Sequence, residues 1–437
     1  MSALALLALG RGLSVTGSDL DIEGCHDLVA RGAVVHEGHS AAYVGGARAV
    51  VVSAAIPAGH PEIEQARSAG IPVVPRKEAL AGLIAGGTLI GLSGTHGKTT
   101  TTVMTTEALA AAGLDPTGLA GGRVAAWGGN ARIGGTACYV VEADEYDQAF
   151  LALHPTVAVV NNVEPDHLEC YGSVEALEAA FVEFAGRARH TFIGTDGPGA
   201  DRVAGALGAQ AVRFGPGAGG VRLDGIRTSP EGSSGTVTFP DGTEVQLALQ
   251  VPGVHNLRNA TGALAVAHAL GADVAAANRG LAAFGGVGRR FERLGSHGGV
   301  ELVDDYAHHP TELAVTLAAA RQAFPGRRLV AVFQPHLYSR TAAHAPAMGA
   351  ALAAADLSVV TEIYRAREMP IPGVSGVQVA EAARAAGGTV VFAPERAGLA
   401  DLVAPMLQRG DVVVTLGAGD ITRLGPELAE RCDSLPG

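Results

Sequence analysis

Hydrophobic positions follow two rhythms along the chain. Short unbroken apolar runs such as ARAVVVSAA, GIPVV and TLIGLS read as strands buried on both faces, and segments such as HPEIEQARSAG carry the three-to-four spacing of helices. The two alternate from the start to about residue 76, which predicts βα units around a parallel sheet. A second block opens at GGTLIGLSGTHGKTTTTVMTTEALAAAG, predicting a buried strand, a glycine loop and a helix stopped by Gly113, and continues through CYVVEADE and TVAVVNNVEPDH. Residues 221–250 change character. There GTVTFPDGTEVQLAL alternates about a Pro-Asp-Gly turn, predicting a small antiparallel element, and VPGVHNLRNATGALAVAHALG returns to helix. From GRRFERLG onward, strands ELVDDYA, RRLVAVFQPH, LSVVTEIY, TVVFAP and DVVVTLGAGD are interleaved with alanine-rich helices, again a Rossmann-like pattern.

A chain of 437 residues leaves room for three such blocks, and with 48% hydrophobic but 4% aromatic residues their cores must be built from Ala, Val and Leu. No apolar stretch is long enough to span a membrane, and the opening MSALALLALG has no basic residue before its apolar run, so a first helix is expected rather than a signal peptide. Cys25, Cys138, Cys170 and Cys432 are scattered, without a C-x-x-C pair, so reduced thiols in a cytoplasmic protein are expected. The formal net charge of −12 and the lack of any basic run argue against a nucleic-acid partner. Lysine occurs only at Lys77 and Lys98. One of those two sits in the glycine loop.

That loop carries the chemistry. Gly94 and Gly97 let successive backbone N–H groups turn towards a phosphate, and the following helix adds its positive end. Lys98 would reach the outer phosphates, and Thr99 would place a hydroxyl on Mg²⁺. The spacing departs from the usual phosphate loop, because Leu92 stands where the first glycine belongs. Glu142 ends an apolar strand and is favoured as a metal carboxylate, whereas Asp144, Glu145 and Asp147 read as structural or one step removed. Asp166 and His167 end the next strand, where they could approach the same metal or simply be satisfied polar residues.

His255, Asn256 and Asn259 offer donor and acceptor edges for an adenine, with helix capping by Asn256 as the plainer alternative. Asp304, Asp305, Tyr306, His308 and His309 precede a helix in a spacing that matches no zinc pattern. His336, Ser339 and Arg340 follow a buried strand, where Arg340 is either a partner for a carboxylate or phosphate or an ordinary surface arginine. Ser18 and Asp19 follow the first predicted strand, a place where an acid often meets a ribose.

In order along the chain, SGTHGKTTTT, EADEYD, NNVEPDH, VPGVHNLRNA, GRRFE, DDYAHHPTE, FQPHLYSRT and LGAGDI resemble the strings of the Mur ligase family, from Met1 to about Arg423. The resemblance implies an α/β protein of three domains: a Rossmann-like UDP-sugar domain over 1–76, a central P-loop ATPase with a parallel sheet and small antiparallel element over 77–290, and a Rossmann-like amino-acid domain over 291–437. The first domain is expected to lack the family's opening strand and glycine-rich loop. The implied reaction is ATP-dependent amide synthesis from UDP-N-acetylmuramate and L-alanine through an acyl phosphate, with Mg²⁺, in a cytoplasmic monomer or weak homo-oligomer.

Carried over residue by residue, Gly94, Thr95, His96, Gly97, Lys98, Thr99 and Thr100 would form the ATP loop. Thr99, Glu142 and His167 would hold metal; His255, Asn256 and Asn259 would lie near adenine, Arg290 at a hinge and Asp305 near ribose. Ser18, Asp19, His39 and Ser53 would contact the UDP group, and Tyr306, His308 and Arg340 would orient the amino acid and reacting carboxylate. Lys98, His167, His308 and Arg340 are the expected catalytic set. Alternatives are a ligase that recycles a preformed murein tripeptide onto the same sugar nucleotide, and a P-loop kinase or ATPase of another pathway.

Overall fold

The computed structural model describes residues 1–366 and 368–433. They fold as two compact units, one of residues 1–226, 234–249 and 257–284, the other of 227–233, 250–256 and the chain from 285 on.

The first unit is organised by a ten-stranded sheet. Strand Thr88–Ser93 lies inside it, between Val157–Asn162 and Cys138–Glu142, and is parallel to both. His190–Asp196, Ala211–Pro216 and Val221–Ser229 continue the sheet in parallel on one side. On the other side Thr117–Val124 is parallel to Cys138–Glu142, and Gly129–Arg132 closes the edge antiparallel. Beyond Val221–Ser229 come Gly232–Thr238 and then Glu244–Leu249. Neighbouring strands joined by so few residues can only run antiparallel, since a parallel pair needs a long crossover. The antiparallel element expected around the Pro-Asp-Gly turn is therefore present.

Residues 1–84 use small parallel strand pairs instead of one continuous sheet: Thr16–Asp19 with Val34–Glu37, and Val50–Val52 with Val73–Pro75. The first helix, Ser2–Gly10, buries Leu4, Leu6 and Leu7 in the core that also holds Leu119, Ala131 and Tyr139 of the large sheet. This core is centred on Phe150, Phe181 and Phe184, all without solvent exposure, with Phe150 stacked on Phe184 at a centroid distance of 5.0 Å. Full burial of each such ring contributes about 1.5–3 kcal/mol.

Helix Lys98–Ala111 buries nearly every side chain despite its run of threonines. The hydroxyls donate backwards within the helix: Thr101 Oγ1 to Gly97 O (2.9 Å), Thr102 Oγ1 to Lys98 O (2.9 Å) and Thr106 Oγ1 to Thr102 O (2.8 Å). These three threonines thus satisfy their own polar groups and present a methyl to the core, whereas the buried Thr105 hydroxyl has no hydrogen-bond partner among the described residues. Gly113, at φ +85°, follows the helix end as expected.

The second unit is a six-stranded sheet in the order Glu292–His297, Val300–Asp305, Val412–Leu416, Leu329–Phe333, Leu357–Val360, Val390–Phe392. All pairs are parallel except the first. Apolar clusters cover both faces, one around Leu313, Phe333 and Met348, the other around Val332, Leu399 and Leu424. Burial on both faces explains why these strands read as unbroken hydrophobic runs.

The displaced glycine of the loop is explained here. Leu92 is fully buried, and a Cβ on Gly91 would lie 2.8 Å from Phe184 Cζ. Gly91→Ala should therefore destabilise the protein by about 1–3 kcal/mol through overpacking. Gly205→Ala, in helix Gly197–Leu207 with nothing within 4 Å of the added Cβ, should stabilise it by about 0.5–1 kcal/mol. Thermal melts of the two variants should move in opposite directions.

Candidate active site

Strand Thr88–Ser93 delivers the loop at its carboxyl end, where open parallel sheets bind ligands. Gly94 takes φ +125°, and a Cβ there would meet Asn161 N and Asn162 O at 3.0 Å; at Gly97, with φ +79°, it would meet Asn259 Oδ1 at 2.8 Å. Both glycines are required for the close packing of this turn. The next strand end clamps the loop. Asn162 Oδ1 accepts from His96 N (2.8 Å), Asn162 Nδ2 donates to His96 O (3.2 Å), and Thr95 N donates to Asn162 O (3.1 Å). Glu164 N donates to Thr95 Oγ1 at 2.8 Å, and Asn161 Nδ2 donates to Thr101 Oγ1 at 2.9 Å. His96 Nε2 lies 3.3 Å from Glu164 Oε2. The first turn of helix Lys98–Ala111 follows directly, so its N–H groups and positive dipole end face the loop.

Lys98 donates to Gly94 O (2.7 Å), Thr95 O (3.2 Å) and Glu145 Oε1 (2.8 Å). Glu145 is 2% exposed. Burial alone would lower the lysine's pKa, but Glu145, Asp144 and Glu142 outweigh it and hold the ammonium above its ordinary value. Burial pushes the Glu145 carboxyl up, and Lys98 opposes that shift. Beside this pair, Thr99 Oγ1 donates to Glu142 Oε1 at 3.0 Å, and Glu142 Oε2 accepts from Gly121 N. Glu142 and Asp144 also line an open cleft with Arg76, Leu4, Leu119 and Gly121.

His167 takes a left-handed backbone, φ +53°, at the start of Leu168–Tyr171. Its ring meets Tyr146 edge-on at 5.1 Å, and its Nδ1 lies 3.4 Å from Glu169 Oε1. Sequence spacing favoured Glu142 over Glu145; the structure gives both a place at the loop, and adds Asn161 and Asn162, to which the NNVEPDH string had given no role.

In the first block Ser18 Oγ donates to Glu62 Oε1 (2.7 Å) and lies 3.0 Å from His39 Nδ1. Glu62 joins the two expected sugar-nucleotide residues and had no sequence signal of its own. Asp19 accepts from Asp21 N at 3.3 Å, and Ser53 O accepts from Ile56 N at 3.2 Å. In helix Val254–Ala269, Asn256 Nδ2 donates back to Pro252 O (2.7 Å), and His255 sits against Gly253. Thr100 is buried in the first turn of helix Lys98–Ala111.

The second unit gathers another group at the carboxyl ends of Val300–Asp305 and Leu329–Phe333. Asp305 accepts from Phe291 N (2.7 Å) and Ala307 N (2.8 Å), yet burial pushes its carboxyl up to about 6, against the pull of Arg290. Arg289 and Arg290 lie over the Tyr306 ring at 4.8 and 5.2 Å. His308 Nδ1 is 2.9 Å from Tyr306 O, its ring is 5.9 Å from that of His336, and His336 stacks on Tyr364. Arg340 Nη1 is 3.4 Å from His336 Nδ1. The structure thus brings Tyr306, His308 and Arg340 into one cluster through His336. Tyr364 and Glu368, which accepts from Ser339 N at 3.0 Å, were not legible in advance.

A parallel sheet that ends in a clamped glycine loop, a buried lysine and a Thr–Glu oxygen pair defines a nucleotide-dependent enzyme of the P-loop class. Family models for the Mur ligase catalytic domain, the Mur ligase middle domain and the Mur ligase glutamate ligase domain match residues 1–88, 92–267 and 289–419. The UDP-N-acetylmuramate–L-alanine ligases of Kineococcus radiotolerans and Mycobacterium sp. (strain JLS) are 44% and 46% identical, over 99% and 98% of this chain and 94% and 92% of their own lengths. Among solved structures, the UDP-N-acetylmuramate–alanine ligase of Thermotoga maritima matches with a TM-score of 0.86 at 28% identity, over 99% of this chain and 96% of that one. A murein peptide ligase from Psychrobacter arcticus matches with a TM-score of 0.75 at 25% identity, over 100% and 97%. The chain belongs to the Mur ligase family and is an ATP-dependent ligase.

Replacing Lys98 with Met leaves Glu145 buried without its cation, which should cost about 3–5 kcal/mol near pH 8. Glu145 would then fold with a pKa further above its unfolded value, so its contribution to stability is lost as pH rises. The deficit of Lys98→Met should therefore shrink at pH 5, and Lys98→Met with Glu145→Gln should recover part of it at pH 8. Urea melts at the two pH values check both outcomes; an equal deficit at both would contradict the coupling.

Proposed function

We propose that this chain joins L-alanine to the lactoyl carboxylate of UDP-N-acetylmuramate with ATP, in peptidoglycan precursor synthesis. The observation that carries the reading is the Lys98–Glu145 and Thr99–Glu142 arrangement on a glycine loop, in a chain 42–46% identical to UDP-N-acetylmuramate–L-alanine ligases over nearly its whole length. A carboxylate is a poor electrophile towards an amine, so it must first be activated. A carboxylate oxygen attacks the γ-phosphorus of ATP, the bond to ADP breaks, and an acyl phosphate forms. The alanine amine then attacks the acyl carbon, and phosphate leaves.

Residue roles follow the same proposal. Gly94 to Thr100 cradle the phosphates, and Lys98 draws off the negative charge that spreads over the transferring group. Thr99 and Glu142 present hard oxygen donors 3.0 Å apart, a donor set that suits Mg²⁺, and His167 completes the proposed ligands. When bound, Mg²⁺ neutralises phosphate charge. His255, Asn256 and Asn259 serve the adenine, Arg290 the hinge and Asp305 the ribose. Ser18, Asp19, His39 and Ser53 serve the UDP group, while Tyr306, His308 and Arg340 orient alanine and the reacting carboxylate. Most of the rate enhancement then comes from positioning and charge neutralisation. The division into blocks 1–76, 77–290 and 291–437 belongs to the same proposal.

The second reading is the murein tripeptide ligase, favoured by the fold match to the Psychrobacter arcticus protein. ADP release measured with UDP-N-acetylmuramate, Mg²⁺ and ATP, offering L-alanine, glycine, L-serine and the tripeptide in turn, separates the two. Turnover with L-alanine is expected, and turnover with tripeptide alone would replace our reading. Lys98→Met should lower kcat by about 10²–10³-fold.

A further inference from the structure

The ammonium of Lys98 has three donors, and all three are spent inside the protein, on Gly94 O, Thr95 O and Glu145 Oε1. A phosphate can gain a hydrogen bond from this lysine only by displacing one of those acceptors. Two are neutral carbonyls of the loop itself. The third is a carboxylate, and it is the one that a phosphate dianion drawn to Lys98 would repel.

We propose that Glu145 is the resident anion of the phosphate loop: it holds Lys98 while the loop is empty, yields it to the nucleotide's terminal phosphate, and so sets nucleotide affinity without touching nucleotide. The inference rests on the nucleotide reading of the loop given above. Glu145 is a positioning residue in this scheme. Its second oxygen, Oε2, is buried with no hydrogen-bond partner among the described residues, so Lys98 supplies the carboxylate side chain's one hydrogen bond and its main compensating charge.

The peptide that carries Glu145 is fixed. Its carbonyl accepts from Tyr171 Oη at 2.5 Å and from Gln148 N at 3.0 Å. Asp147 and Gln148 behind it take left-handed φ values of 54° and 52°, and Lys77 Nζ bonds to Asp147 at 3.3 Å. With the carboxylate's base held, the moving part is the flexible four-carbon stem of Lys98. Nucleotide binding is then an exchange of anions on one cation, and its affinity is lowered by the strength of the bond given up.

A carboxylate that only supports the fold would affect stability alone. Calorimetric titration of the full chain with Mg²⁺-ADP, Mg²⁺-ATP and adenosine tests the difference. Glu145→Gln should tighten ADP and ATP by about three- to tenfold and leave adenosine unchanged, with the KM for ATP falling and that for the sugar nucleotide constant. Glu145→Asp, which retracts the carboxylate by one methylene, should shift ADP in the same direction by about two- to threefold and keeps the test open if the Gln variant does not fold. Unchanged or weaker ADP binding in a folded variant overturns the exchange. No ADP binding to the unaltered chain overturns the nucleotide reading, and the exchange with it.

Discussion

One buried cation constrains the first unit. Lys98 is placed where little water can reach it, and an ammonium in such a place must be paired and hydrogen-bonded or lose its proton. Everything around the loop supplies those partners. The carbonyls of Gly94 and Thr95 turn inward because Gly94 adopts a conformation closed to other residues, and that turn is held by Asn162 from the neighbouring strand. Glu145 brings the compensating charge from the segment that follows strand Cys138–Glu142 on the other side. Segments that leave two adjacent parallel strands therefore meet at the ammonium group, and the third strand holds the loop between them, an arrangement the sheet order makes possible.

The same economy appears in the helix behind the loop. A helix that must bury almost its whole circumference is usually apolar throughout. Here a threonine run does it, because each back-bonded hydroxyl is satisfied at the preceding turn while Asn161 anchors Thr101 to the loop. The helix can thus sit within the core and still present polar atoms at its first turn, where Thr99 meets Glu142. A leucine-rich helix would bury as well but would offer no such hydroxyl.

Strand runs, glycine loop, caps and the antiparallel element were legible because each is a local pattern. Pairings across elements were not. The unbroken apolar run of CYVVE stops at Glu142, so nothing in the spacing of EADE says that Glu145 turns back inward; the left-handed residues Asp147 and Gln148 just beyond it go with that return. Glu62 reached Ser18 and His39 from 44 and 23 positions away, and Tyr364 met His336 just beyond two neighbouring strands, separations at which sequence carries no phase information. The first block was legible as βα units but not as two separate strand pairs, since short parallel strands read alike whichever neighbour they choose.

Backbone strain marks the segments that place chemistry. Eight non-glycine residues among those described have positive φ, and His167, Arg289, Phe291 and Leu337 stand directly in the candidate site segments, with Asp147 and Gln148 beside Glu145. Each such residue costs about 1–3 kcal/mol and persists only where its surroundings over-determine it. The surroundings do so here: Phe291 N is tied to Asp305, Arg289 O to Tyr306 N, and Leu337 N to the carbonyl of Tyr364. Two of the three residues that fix the strained peptides, Asp305 and Tyr306, are also proposed to contact substrate. At Asp305 the same carboxylate that ties down the strained Phe291 peptide is the one proposed for the ribose, so loosening that turn would move a group of the proposed site.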